Sequence, residues 1–190
     1  MLDRCIVDDV SYLTEKFPPL RMQAEGIPHS VFADAVTDLD QYFGAEERSI
    51  VGAAWDTPGR DAVTVDQVGK FIGLHLDSWD GVTLAERSRS RTRICMNLGP
   101  DMRSFLYVPI RLQDAVAAIG AAPDDEREVK FRDLVPRFFA VFPTFPIVRI
   151  NLPPGTGYFA DTDNLMHDGS SALATVPSLN FTIRGRYALI

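Results

Sequence analysis

The sequence predicts a mainly β fold with flanking helices, a sandwich or barrel of jelly-roll type. Three observations carry that prediction. From about residue 66 onward, apolar segments of strand length follow one another, separated by short turn-forming stretches. The part before them shows helical rather than alternating spacing. No repeat, low-complexity tract or long linker divides the 190 residues. One domain over 1–190 follows, with partly helical N-terminal support over 1–65 and a jelly-roll core over 66–190.

The elements run in order. "SVFADAVTDLDQYFG" (30–44) sets Val31, Phe32, Val36, Leu39 and Phe43 at helical intervals, with Ser30 as cap and Gly44 as stop. "VDQVGKFIGLHLD" (65–77) runs into an apolar stretch that reads as a strand. "TRICMNLG" (92–99) and "SFLYVPIRL" (104–112) are two more strands, parted by a turn around "GPDMR". "FRDLVPRFFAVFP" (131–143) stays open, because Pro136 can start a helix but interrupts one. "PIVRINL" (146–152) alternates as a strand does, and "PPGTG" (153–157) is a turn. "GYFAD" (157–161), "SALATV" (171–176) and "LNFTIRGRYAL" (179–189) read as three short final strands. Antiparallel strands at this spacing form sandwiches and barrels.

Composition narrows the function. The chain is 46% hydrophobic and 24% charged, ordinary for a globular protein. A net charge of −7 argues against nucleic acid or an anionic membrane as partner. The local cluster "ERSRSRTR" (86–93) is nevertheless basic enough to hold an anion, such as a substrate carboxylate. No apolar stretch approaches the roughly 20 residues that span a bilayer, and the acidic N-terminus lacks a signal-peptide core. Cys5 and Cys95 are too few for a disulfide framework or a zinc cluster and read as free thiols of a reducing cytoplasm.

"GLHLDSWDG" (73–81) carries the chemistry. On a strand, residues i and i+2 share a face, so His75 and Asp77 aim an imidazole and a carboxylate at one point. A metal site, a catalytic pair and a structural hydrogen bond all fit. Aspartate is frequent here, so one His-x-Asp carries little by itself. His167, in "HDG", follows a turn-rich stretch and precedes a late strand. Taken alone, it reads equally as a surface turn residue. "NFTIRGRY" (180–187) sets Thr182, Arg184 and Arg186 on one face, opposite Phe181 and Ile183. An inward arginine needs an anion, which its fork holds bidentately. Arg93, Cys95 and Asn97 also share a strand face and are candidates to hold a ligand, with a surface Arg93 as the bland alternative.

Two histidines and one carboxylate leave three positions open on an octahedral metal, the facial triad of non-haem iron oxygenases. The order His-x-Asp, distant His, then Arg on the last strand resembles the Fe(II)/2-oxoglutarate-dependent dioxygenases from about Phe71 to Tyr187. The resemblance implies a double-stranded β-helix, a jelly-roll or cupin-like fold. It implies His75, Asp77 and His167 as catalytic iron ligands. It implies Arg184, or Arg186 two residues on, as anchor for the far carboxylate of 2-oxoglutarate, with Thr182 assisting and Asn97 nearby. Fe(II), 2-oxoglutarate and O2 are then required, and a small metabolite, such as an amino acid or biosynthetic intermediate, is oxidised. Related halogenases carry a small residue in place of the carboxylate, so Asp77 favours hydroxylation, desaturation or ring formation.

Two rivals stand beside this reading. A cupin-like metalloenzyme without 2-oxoglutarate needs no inward arginine and tends to use more histidines. A non-catalytic jelly-roll binding module makes the triad a coincidence. Trp79 and Tyr158 flank the motifs and read first as core, then as pocket wall. Arg186 reads as a solvent residue at its strand's end. His29 has no partner in view.

Overall fold

A strand with one buried face needs a second apolar layer, and this chain supplies it by closing two antiparallel sheets on each other. A computed structural model describes residues 6–7, 43–66, 68–120 and 131–189. The strands are β1 (Ile6–Val7), β2 (Phe43–Asp56), β3 (Thr92–Asn97), β4 (Arg103–Tyr107), β5 (Val148–Leu152), β6 (Gly157–Ala160), β7 (His167–Ser170) and β8 (Ser178–Leu189). The larger sheet has the order β1-β6-β3-β8-β2 and the smaller β5-β4-β7. The fold is the mainly antiparallel jelly roll that the sequence predicts.

Registry decides which side chains face inward. β3 and β8 pair Arg93 with Arg184, Cys95 with Thr182 and Asn97 with Asn180, and β6 sets Tyr158 opposite Cys95. These residues share the inner face of the larger sheet, while Ile94, Met96, Phe181 and Ile183 are fully buried on the other. In the smaller sheet Phe105, Tyr107 and Leu152 face inward. The Phe105 ring lies on Tyr158 with centroids 4.0 Å apart, joining the sheets.

Two helices cover one end. Helix α1 (Leu112–Ala118) and helix α2 (Phe131–Val141) lie in the chain between β4 and β5. Pro136 sits inside α2, whose apolar side still buries Leu134, Val135 and Phe138. Ala115, Val135 and Phe138 pack with Val108 and Met166, and against Leu74 and Leu76. Alternation in "GLHLD" thus turns the leucines to the helices and leaves His75 and Asp77 on the opposite face.

Several segments differ from expectation. Residues 30–42 of the expected helix lie outside the described residues, and Phe43 and Gly44 open β2. Sheet residues therefore begin ahead of residue 66. β2 is hidden in the sequence because two bulges break its period, one beside Glu47 (φ 50°) and one at Gly52 (φ 130°). The 65–77 segment is no continuous strand. Asp66 accepts bonds from the Val68 and Lys70 amides, and Gly69 and Gly73 take positive φ. Only isolated bridges survive, Val65 with Phe71 and His75 with His167. β4 stops at Tyr107, two residues before Pro109, and Leu112 already belongs to α1. "SALATV" is a turn, not a strand: the Asp101 carboxylate accepts from the Thr175 and Val176 amides. Among the described residues, no helix is long and apolar enough to cross a membrane.

Candidate metal centre and pocket

The backbone brings two of the three candidate ligands together directly. His75 N–H donates to the His167 carbonyl and His167 N–H to the His75 carbonyl, both at 2.9 Å. Such a reciprocal pair in an antiparallel bridge puts both side chains on one face. The ring centroids are 4.7 Å apart. Asp77 follows two residues on, its amide bonded to the Thr162 carbonyl. Ligand atoms of His75, Asp77 and His167 all lie within 4.8 Å of one another.

Tautomers follow from the partners. His75 Nδ1 lies 2.8 Å from the Gly73 carbonyl, and His167 Nδ1 lies 2.8 Å from the Leu165 carbonyl. A carbonyl only accepts, so each Nδ1 carries the proton and each Nε2 presents a lone pair. The positive φ of Gly73 makes the turn that aims its carbonyl at the ring. The two Nε2 atoms stand 3.5 and 3.7 Å from the Asp77 carboxylate oxygens. His167 Nε2 is buried with no hydrogen-bond partner. Lone pairs converging in this way call for a shared cation.

The titration directions agree. Burial alone would raise Asp77, but His75, His167 and Arg93 hold its carboxyl far below the usual range. Complete burial lowers His167 to about 3, so its ring is neutral. Burial opposes the charge on His75 as well, yet the Asp77 carboxylate raises it overall. A neutral imidazole beside an ionised carboxylate is the donor set that divalent iron takes. The three residues therefore fit the metal.

A cavity of about 330 Å³ opens beside this cluster. His167, Arg93, Cys95 and Tyr158 line it, together with Arg60, Thr64, Phe71, Asp56, Arg103 and Asn180. Arg93 spans the site: one Nη donates to Asp77 Oδ2 at 3.3 Å, the other to the Thr182 hydroxyl at 3.3 Å. Arg103 is an ion-pair partner of Asp56, and its buried Nε has no partner. Its guanidinium occupies space that Gly169 leaves open, since a Cβ there would sit 3.3 Å from Nη2. Gly169 is two residues beyond His167 on β7.

Other sequence candidates lie elsewhere. Arg184 is inward and buried, but the carboxylates it holds are the protein's own: Asp163 at 2.7 Å and Asp80 at 3.3 Å. It does not line the cavity. Arg186 is exposed, bonded to Glu47 and the Arg89 carbonyl. The Asn97 amide holds the β3–β4 turn, donating to the carbonyls of Asp101 and Leu152. Of "ERSRSRTR", only Arg93 reaches the cavity; Arg87 is buried against the carbonyls of Asp77 and Asp163. Trp79 is 56% exposed rather than core. Tyr158 is a buried cavity wall. Sequence reasoning missed Arg60, Asp56 and Arg103. For Arg103 a signal existed, because Arg103, Phe105 and Tyr107 share one strand parity.

The two sheets and their enclosed site define the double-stranded β-helix class of jelly rolls. Within it, the chain is similar to solved structures of the Kdo hydroxylase KdoO, described as a non-heme Fe(II) alphaketoglutarate dependent dioxygenase. The apo form gives a TM-score of 0.50 at 15% identity, covering 95% of this chain and 70% of that one. The cobalt(II) complex gives 0.48 at 15% identity, covering 95% and 69%. The complex with alphaketoglutarate and Fe(III) gives 0.46 at 16% identity, covering 74% and 54%. This chain thus spans from about half to seven tenths of the length of those chains. The likeness is one of fold. No protein-family model matches the chain, and no curated protein matches it in sequence.

Proposed function

We propose that this protein is an Fe(II)- and 2-oxoglutarate-dependent oxygenase that oxidises a carbon of a small molecule. The observation that carries the reading is the convergence of two imidazole lone pairs and one carboxylate, beside a cavity. His75, Asp77 and His167 hold the metal. When bound, iron with 2-oxoglutarate and O2 supplies oxidative decarboxylation: one oxygen atom enters succinate, CO2 leaves, and the other oxidises the substrate.

The protein's residues position the partners. Arg93 neutralises the carboxylate of Asp77 and fixes its orientation through Thr182. Arg103, not Arg184, anchors the far carboxylate of the cosubstrate. It faces the cavity, keeps an unpartnered Nε–H, and stands next to the Gly169 gap, two residues along the strand from His167. Two residues of strand are about 7 Å, the scale of a five-carbon diacid. Arg184 also has a buried Nε without a partner, but it does not line the cavity, and its Nη donors go to Asp80, Asp163 and the Arg91 carbonyl.

The test is an anaerobic titration with Fe(II), then 2-oxoglutarate, reading the visible charge-transfer band of the chelate. The parent should develop it. Arg103→Ala should weaken 2-oxoglutarate by about 2–5 kcal/mol, as removal of one partner of a buried charge pair does, while iron affinity holds. Absence of the band in the parent would remove 2-oxoglutarate and favour the cupin-like rival.

A further inference from the structure

We infer that the substrate is a small carboxylic acid and that Arg60, at the rim of the cavity, holds its carboxylate. The inference rests on the oxygenase reading of the same site. Arg60 lines the cavity and is exposed at its mouth. Its guanidinium lies over the Phe71 ring, 5.2 Å from the centroid. No carboxylate among the described residues pairs with it, unlike Arg93, which has Asp77, and Arg103, which has Asp56.

The backbone that carries this arginine is fixed. Its amide donates to the Ser171 hydroxyl at 3.2 Å. Its carbonyl accepts from the Ser171 amide at 2.9 Å and from the Ser170 hydroxyl at 3.1 Å. Both serines are fully buried. Ser170 closes β7, the strand that His167 opens. Three hydrogen bonds thus tie the backbone of residue 60 to Ser170, the last residue of the strand that His167 opens, and to Ser171 just after it. Val63 N–H to the Gly169 carbonyl, and Thr64 to the Asp168 carboxylate, continue the same tie.

Charge and volume set the ligand class. Around the cavity and its metal cluster stand the guanidinium groups of Arg60, Arg93 and Arg103 and the carboxylates of Asp56 and Asp77, with Asp168 bonded to Thr64 beside them. A divalent metal and a dianionic cosubstrate cancel. Of the three guanidinium groups, Arg60 is the one with no carboxylate partner among the described residues. A monoanion balances it, and a planar fork matches a carboxylate. A cavity of about 330 Å³ is at the small end for ligand sites, which run from roughly 300 to 1,000 Å³. With the cosubstrate inside, the space left suits a compact acid.

The experiment uses the protein with Mn(II) and saturating 2-oxoglutarate under argon. Small hydroxy and amino acids are added, each beside its primary amide and, for the hydroxy acids, its phosphate ester. Proton relaxation enhancement in NMR reports binding close to the manganese. Acids should be relaxed and their amides not. Arg60→Gln should weaken acid binding by about tenfold or more, the scale of a lost charge-assisted pair. Arg60→Lys should recover part of it, while manganese and 2-oxoglutarate affinities hold in both. Equal relaxation by acids and amides, preference for phosphate esters, no relaxation by any acid, or an unchanged Arg60→Gln would each overturn the inference and leave the oxygenase reading standing. Failure of the parent to bind manganese would overturn both.

Discussion

Arg184 and Asp163 form an ion pair at 2.7 Å in which both side chains are only 1% exposed. The pair joins the last strand to the turn after β6. Asp80 adds a second carboxylate to Arg184 at 3.3 Å and is itself held by Arg91 at 2.6 Å. The network explains an inward arginine without any ligand. A bare guanidinium at this depth would be strongly unfavourable, and two carboxylate contacts and a bond to the Arg91 carbonyl remove that cost.

Arg184→Ala should therefore act on stability. Leaving Asp163 unpaired in the interior should lower the free energy of unfolding by about 3–5 kcal/mol. Urea unfolding of the variant measures it. A double variant, Arg184→Met with Asp163→Leu, should recover part of the loss, because an apolar pair replaces a buried charge. If Arg184→Ala keeps parental stability but no longer binds 2-oxoglutarate, the anchor returns to Arg184.

Asp161 sets a pH dependence. Burial, and then the neighbouring Asp163 carboxylate, push its carboxyl from 3.8 up to about 7. Its Oδ1 is buried without a partner. Between those values the folded chain holds a proton that the unfolded chain releases. Stability from this group is therefore full below about pH 4 and lost as pH rises through 7. Asp161→Asn removes the titration. It should be more stable than the parent at pH 8 by on the order of 2 kcal/mol, since the carboxyl is partly exposed, with little difference at about pH 4. Denaturant midpoints at the two pH values decide it. A constant difference at both would exclude Asp161 as the titrating group.

The metal cluster predicts a ranked set of losses. His167→Ala and His75→Ala each leave a single imidazole beside the carboxylate and should abolish Fe(II) binding at micromolar protein, as calorimetry can show. Asp77→Gly should keep weak binding through the two imidazoles and open room for an anion, while oxidation of substrate is lost. The fold should survive all three, because the apolar layer around Phe105 and Tyr158 does not depend on the metal. Parent-like iron binding by both histidine variants would dissolve the cluster as a metal site.

Local pattern made part of this legible. Period two put His75 with Asp77 and turned Leu74 and Leu76 away. The same rule placed Thr182 and Arg184 inward, where they are. What it could not supply was the partner: Asp163 meets Arg184 across a separation of 21 residues, and nothing in "ADTDN" marks it as a strand-facing carboxylate. The reciprocal bridge of His75 and His167 is equally non-local, so their shared face was an inference from order and spacing. β2 failed for a local reason. Its bulges at Glu46/Ser49 and Ile50/Gly52 shift the register twice, which erases alternation and hides Asp56 with it. Arg103 was readable from its parity, but the resemblance drew attention to the last strand instead.

Gly169→Ala offers the sharpest probe of the cosubstrate subsite. A Cβ there would lie 2.8 Å from Val63 Cγ2 and 3.3 Å from Arg103 Nη2. Val63 can turn, whereas Arg103 is confined by its ion pair with Asp56. The added methyl should push the guanidinium from its place and cost about 1–3 kcal/mol, as overpacking does. In binding, that is roughly a tenfold or greater rise in the 2-oxoglutarate dissociation constant. Mn(II) affinity should hold, since His167 lies two residues back and keeps its bridge to His75. Val63→Ala combined with Gly169→Ala removes the closer clash and leaves the one with Arg103. If the double variant still binds 2-oxoglutarate weakly, the effect runs through Arg103. If binding returns to the parental value, the effect came from the displaced 63–64 segment, and Arg103 loses its assignment as the anchor.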